Sequence, residues 1–266
     1  MRIPFSQVDA FASEPFKGNP AAVMPLARWL DDAVLQAIAA ENNLSETAFL
    51  VPDDSGEAEF ELRWFTPASE VVLCGHATLA SGHVVLSTDS SLDRVRFRTR
   101  RSGVLSVERR GAGYAMALPT WRAEPKPLPV IVAALGLEGQ VRETRWHPNE
   151  YGLVVVDDEA VVRGLDPDFR ALGREGDVLT IVTAPGRDTD MVSRAFAPGC
   201  GIDEDPVTGS AHAVLVPYWA ERLGRDTMTA YQASARGGRL TCTLAGEQVV
   251  LGGACVTVIE GTFLLP

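Results

Sequence analysis

Arg63-Trp64-Phe65-Thr66-Pro67 runs ahead of Gly75-His76-Ala77-Thr78, and Arg194-Ala195-Phe196-Ala197-Pro198 runs ahead of Gly209-Ser210-Ala211-His212. Both stretches read R-x-F-x-P, a loop, then G-x-A. An apolar, helix-spaced run follows each, Leu79–Leu86 in one and Val214–Leu223 in the other. A motif that recurs with its loop and its helix argues for a duplicated half, so two similar domains are expected. Between them Pro119–Pro129 carries three prolines after Glu124, which breaks both helical and strand periodicity and marks a linker. The first half therefore spans 1–118 and the second 119–253.

Outward from the repeat, short β-rich runs bounded by Gly, Pro, Asp or Asn dominate. They are Arg2–Val8, Glu59–Phe65, Arg94–Arg100, Gly103–Arg109, Tyr114–Leu118, Gly152–Val156, Val178–Thr183, Met191–Phe196, Arg239–Leu244 and Ala254–Ile259. Helical patterns are few: Asp32–Asn42, the stretches after Gly75 and Gly209, and Pro129–Leu135, whose proline suits a first turn. The fold class is α+β, with mixed or antiparallel sheets.

At 266 residues and 46% hydrophobic, the chain can bury one large core or two small ones. Its formal net charge of −11 leaves no basic surplus for phosphates, so nucleic acid and anionic membranes are unexpected partners. Cys74, Cys200, Cys242 and Cys255 form no CxxC pair, and His76, His83, His147 and His212 form no HxxxH, so no metal site is expected. The amino terminus has no signal-like apolar core and no apolar run reaches about 18 residues. The expectation is a cytoplasmic protein with reduced thiols.

The residues around each repeat carry the candidate chemistry. Small residues at Gly75, Ala77 and Thr78, and at Thr208, Gly209, Ser210 and Ala211, leave helix N-terminal N–H groups open to a carboxylate. Two such ends meeting at a domain interface would hold an anionic or zwitterionic small molecule. Helix capping by Thr208 and Ser210 accounts for the same residues without a ligand. Glu46, in Asn43-Leu44-Ser45-Glu46-Thr47-Ala48, stands between an amphipathic helix and an apolar strand, where a raised pKa would suit a general base; a solvated turn glutamate is the alternative. In Asp203-Glu204-Asp205-Pro206, Asp205 is nearest the helix and could accept from a substrate amine or partner His76. His76 would then be a proton-handling group, or a helix-start histidine bonded to backbone. Gly18-Asn19-Pro20 reads only as a tight turn. Cys74, ahead of Gly75, is either a thiol acidified by the helix dipole or a small buried hydrophobe.

Taken together, VDAFASEPFKGNPAAV (8–23), NLSETAFL (43–50), RWFTPASEVVLCGHATLASG (63–82), RAFAPGCGIDEDPVTGSAHAVLVPYWAERLG (194–224) and QASARGG (232–238) resemble the PhzF-like family of the diaminopimelate-epimerase fold. The resemblance implies two pseudo-symmetric domains, each a curled, barrel-like sheet around a central helix, with the active site between them. The C-terminal strand, about 254–266, would complete the first domain. It implies cofactor-free isomerisation of the kind used in phenazine synthesis, with Glu46 removing a proton from one carbon and returning it to another. Asp205 and His76 would be catalytic partners, Ser45, Gly75, Gly209 and Ser210 would bind substrate, and the protein would be a homodimer.

One departure bears on mechanism. Racemase and epimerase relatives of the fold use two opposed cysteines, one from each half, and this chain has only Cys74, because Asp205-Pro206-Val207-Thr208-Gly209 holds no thiol. A one-base shuttle on Glu46 is expected. The alternatives are a Cys74-dependent epimerase and a binding protein of the same fold that has lost turnover.

Overall fold

The computed structural model describes residues 1–265 of the chain. In order, the first elements are β1 (Arg2–Ala10), β2 (Asn19–Pro25), α1 (Asp32–Asn42), β3 (Glu46–Pro52), β4 (Phe60–Phe65), β5 (Glu70–Val71), α2 (Gly75–Thr88), β6 (Arg94–Thr99), β7 (Val104–Arg110) and β8 (Gly113–Pro119). Then come β9 (Glu124–Pro125), α3 (Pro129–Ala134), β10 (Val141–His147), β11 (Tyr151–Val156), α4 (Glu159–Arg163), α5 (Phe169–Gly173), β12 (Leu179–Pro185) and β13 (Met191–Ala197). The last are β14 (Ile202–Asp205), α6 (Gly209–Leu223), β15 (Thr227–Gln232), β16 (Gly238–Ala245), β17 (Gln248–Gly253) and β18 (Cys255–Leu264). The chain divides into two compact units, Met1–Ala117 with the segment from Gly252 onward, and Leu118–Leu251.

In the first unit the strands run β18-β1-β2-β3-β4-β6-β7-β8, with β5 paired briefly to β4. All neighbours are antiparallel except β2/β3 and β4/β6. This sheet curls around α2, which packs on β1, β2, β3, β6, β7 and β18. A helix surrounded this way has no polar face, and every residue from Gly75 to Gly82 is buried. Small residues make the close approach possible: a Cβ on Gly82 would fall 2.3 Å from Val107 Cγ1. A second apolar layer, with Leu35, Ile38 and Ala39 of α1 against Phe49 and Phe65, covers the outer face of β3 and β4.

The second unit repeats the plan. Its strands run β9-β10-β11-β12-β13-β15-β16, with β14 on β13, and only β11/β12 and β13/β15 are parallel. Buried α6 takes the place of α2. Pro217 inside α6 removes one N–H, and the Ala213 carbonyl thereby released accepts from the Trp121 N–H at 3.0 Å. The outer layer comes from α3, α4 and α5, where Ile131, Val162 and Leu172 meet Val154, Val182 and Phe196. Asp158 and Asp168 cap the two short helices by accepting from Ala160 N–H and Ala171 N–H, at 2.8 and 2.9 Å.

Register extends the duplication residue by residue. Thr47 pairs with Phe65 as Thr180 pairs with Phe196, and Thr47 pairs with Ala22 as Thr180 pairs with Gly152. Trp64 opposes Val71 as Ala195 opposes Asp205. The second-half counterpart of Glu46 is therefore Leu179, that of Glu70 is Glu204, and that of His76 is Ser210.

Alanine in place of glycine within a helix ordinarily stabilises by about 1 kcal/mol. At Gly82 the contact with Val107 reverses the sign: Gly82→Ala should destabilise by about 1–3 kcal/mol, read as a lower unfolding midpoint. Adding Val107→Ala should recover part of that loss.

Candidate active site

Helix α1 ends at Asn43, whose φ of 48° turns the chain sharply and lets Ser45 and Glu46 lead directly into β3. Ser45 and Glu46 are half-buried, and everything after them in β3 as far as Val51 is buried. Parallel pairing of β3 with β2 sets Glu46 opposite Ala21, two residues beyond Asn19. The first turn of α2 delivers Gly75 and His76 to the same place, with Cys74 at the position that precedes the helix.

The result is a tight titratable cluster. His76 Nε2 lies 2.9 Å from Glu46 Oε2, while Cys74 Sγ lies 3.5 Å and Asn19 Nδ2 3.1 Å from His76 Nδ1. Glu46 Oε2 and His76 Nε2 meet off the line of a hydrogen bond, so neither atom has an aligned partner among the described residues although both are buried. Burial works against a charge on His76, but Cys74 and the Glu46 carboxylate outweigh it and hold the His76 pKa well above its ordinary 6.5. Burial, with the Glu46 charge adding to it, pushes the Cys74 thiol up to about 11. Of the two readings of Cys74, the small buried group is the one that fits: Cys74 stands at a helix start, yet desolvation dominates.

One oxygen of Glu46, one nitrogen of His76 and the Cys74 sulfur lie within 4.8 Å of one another, a grouping that sequence spacing did not reveal. Carboxylate and thiol stand against different nitrogens of the imidazole ring. That disposition suits a chain of proton donors and acceptors more directly than a chelate around one ring nitrogen.

In the second unit the residues before α6 form a braced loop. Thr208 occupies the capping position, but its hydroxyl donates to Asp205 Oδ2 at 2.5 Å and makes no cap bond. The capping reading of Thr208 is thus replaced by an Asp205 clamp. Buried Gln232 accepts from Thr208 N–H at 2.8 Å and donates to the Asp205 carbonyl at 2.7 Å and to Thr208 Oγ1 at 3.1 Å. Ser234 Oγ adds a bond to the Pro206 carbonyl at 2.8 Å. Gly209 opens α6 and Ser210 follows it, with its hydroxyl on Tyr151. Of the acidic run, Asp203 is exposed and Glu204 is held by Arg194.

The sequence missed Asn19, Gln232 and Tyr151. Asn19 reads as a turn residue, and Gln232 enters only as the first residue of QASARGG (232–238), with no role of its own. Their signal is long-range, since each bonds to a helix start 57 or 24 residues away.

His212, one turn into α6, donates from Nδ1 to the Thr208 carbonyl at 2.8 Å, and burial lowers its pKa from 6.5 to about 4. The folded state therefore resists protonation where the unfolded chain accepts it. This contribution to stability is complete above about pH 6.5 and is lost as pH falls toward 4, on the order of 3 kcal/mol in all. Urea unfolding between pH 7.5 and 4 should show a loss larger by that amount in the wild type than in His212→Gln.

A family model described as phenazine biosynthesis-like protein matches residues 8–261. Two uncharacterized isomerases of Pseudomonas aeruginosa are 50% and 47% identical to this chain, each over 100% of both sequences. A crystal structure of a phenazine biosynthesis protein of the PhzF family from Enterococcus faecalis superposes with a TM-score of 0.91 at 45% identity, covering 100% of each chain. A predicted epimerase from Pseudomonas aeruginosa, at 20% identity and a TM-score of 0.74 over 99% of this chain and 100% of that one, shares the fold.

Proposed function

The chain belongs to the phenazine biosynthesis-like family of isomerases, and on that premise we propose that it moves a proton between carbons of a small amino- or carboxylate-bearing substrate without a cofactor, with Glu46 as the general base. The observation that carries this reading is the Glu46 carboxylate beside a buried, proton-retaining His76, with the facing atoms 2.9 Å apart yet free of an aligned bond. A carboxylate so held can accept a proton from carbon, and the imidazolium beside it offsets the negative charge that develops on the substrate. The same carboxyl group, now protonated, returns the proton to a second carbon, which leaves the enzyme unchanged.

Ser45 and the Gly75 N–H are assigned to hydrogen-bond the substrate near Glu46. Asp205, Gly209 and Ser210 of the second unit are assigned to substrate binding, Asp205 for an amine and the start of α6 for a carboxylate. The bracing of Asp205 by Thr208 and Gln232 supports a recognition role, because a carboxylate fixed in place loses little freedom on binding. The Cys74 epimerase reading loses ground, since a thiol pushed up to about 11 is a poor base near neutral pH. We further take the enzyme to be a cytoplasmic homodimer. No helix among the described residues is long and apolar enough to cross a membrane.

The test is NMR detection of deuterium uptake from D2O into trans-2,3-dihydro-3-hydroxyanthranilate and a panel of small amino and carboxylic acids. Glu46→Gln should slow exchange by roughly 10²–10⁴-fold with the fold intact. Asp205→Asn should act mainly on KM. Exchange that survives in Glu46→Gln would remove Glu46 from its role, and no exchange by the wild type on any compound would favour the binding-protein reading.

A further inference from the structure

The turn Gly18-Asn19-Pro20 is more than a link between β1 and β2. The connection that leads into it, residues 11–18, carries two phenylalanines in the left-handed region, Phe11 at φ 59° and Phe16 at φ 70°. Bulky residues adopt that conformation only where the surroundings impose it, and such strain gathers at functional sites. The surroundings here are specific. The Asp9 carboxylate, 1% exposed, accepts from the Phe16 N–H at 2.8 Å, and the Ala12 N–H donates to the Ala254 carbonyl at 3.0 Å. Gly18 has φ 64°, and a Cβ there would lie 2.1 Å from the Ala10 carbonyl oxygen. The loop is folded back hard on the end of β1, and what it delivers is Asn19, 0% exposed, with its carboxamide 3.1 Å from His76 Nδ1.

We propose that Asn19 is the positioning residue of the Glu46–His76 pair: its carboxamide holds the imidazole by Nδ1, so that Nε2 is the nitrogen presented to Glu46. A ring free to rotate would divide its time among orientations, and only one of them puts Nε2 against the carboxylate. A carboxamide is the side chain that can follow a proton cycle at this place. Its nitrogen faces Nδ1 as placed, the pairing of a neutral ring; turned end for end, with no change of shape, the amide sets its oxygen to accept from Nδ1–H of the cationic ring. The groups that face the ring are Glu46 at Nε2 and Cys74 with Asn19 at Nδ1. Of the two at Nδ1, the thiol is the weaker and longer partner. The strain at Phe11 and Phe16 is then the cost of bringing a buried amide to one nitrogen of one histidine.

This rests on reading Glu46 and His76 as the reacting pair, but its test needs no substrate, so a failed exchange assay and a failed positioning role are distinguishable. The full-length protein, labelled with 15N-histidine, contains four histidines, and His76→Gln assigns the signal of interest. Long-range proton–nitrogen correlation then reports Nδ1 and Nε2 of His76 separately across a pH titration. Asn19→Leu, which keeps the bulk and loses the polar group, should lower the pH at which His76 gives up its proton by about one unit. Asn19→Asp, nearly the same shape, sets a carboxylate against Nδ1; it should shift the Nδ1 resonance selectively and raise the midpoint, as a close opposite charge does. His83 and His147 should not respond. If Nδ1 of His76 stays unmoved in Asn19→Asp, the proposal is overturned and Asn19 only fills space. That variant decides alone should Asn19→Leu fail to fold.

Discussion

A guanidinium clamped by a glutamate sets the frame of each half. Arg63 Nε and Nη2 bind the two oxygens of Glu70 at 2.8 Å each, and Arg194 binds Glu204 in the same way at 2.7 and 3.0 Å. Each guanidinium also lies over the phenylalanine two residues further on, at 4.9 Å for Phe65 and 5.0 Å for Phe196. Arg63 is 2% exposed, and a charge so buried is tolerable only when every donor is matched, a task that the planar fork of arginine meets and lysine would not. The pairing fixes the end of β4 or β13 to the segment just ahead of the central helix. The first residues of α2 and α6 can then project at a defined place. The R-x-F-x-P repeat is the sequence trace of that clamp.

On this shared frame the two halves have diverged chemically. Where the first has Glu46, Cys74 and His76, the register places Leu179, Thr208 and Ser210 in the second. Where the second has Asp205, the first has Val71. Proton-carrying groups are thus concentrated in the first unit, and fixed hydrogen-bonding groups in the second. Each helix start is braced by a buried amide, Asn19 through the His76 side chain and Gln232 through the Thr208 backbone. The braces attach to different atoms, as expected if one must orient a ring and the other must hold a loop.

The duplication was legible because the clamp and the helix start need fixed residue types at similar spacing. The central helices were legible because an apolar, helix-spaced run follows each G-x-A start. Glu46 and His76 could be named, but their contact could not, since it joins β3 to α2 through a parallel pairing that no local pattern encodes. Asn19 was hidden for a related reason: a Gly-Asn-Pro turn looks the same whether its amide faces water or a buried imidazole. Glu204 and Asp205 are adjacent in sequence and opposite in role, and only the strand register separates the residue that faces Arg194 from the one that accepts from Thr208. Cys74 shows burial overruling a helix dipole, a balance set by the surrounding sheet.

In the proposed reaction Glu46 and His76 act as one coupled pair, with side chains only 13% and 5% exposed. A double-mutant cycle on unfolding free energy at neutral pH, using Glu46→Gln, His76→Gln and the two combined, measures that coupling directly. A coupled pair should give an interaction of about 1–3 kcal/mol, the double variant losing less than the sum of the singles. Losses that add to within about 0.5 kcal/mol would mean that the two groups are neighbours without being partners, and would contradict that coupling.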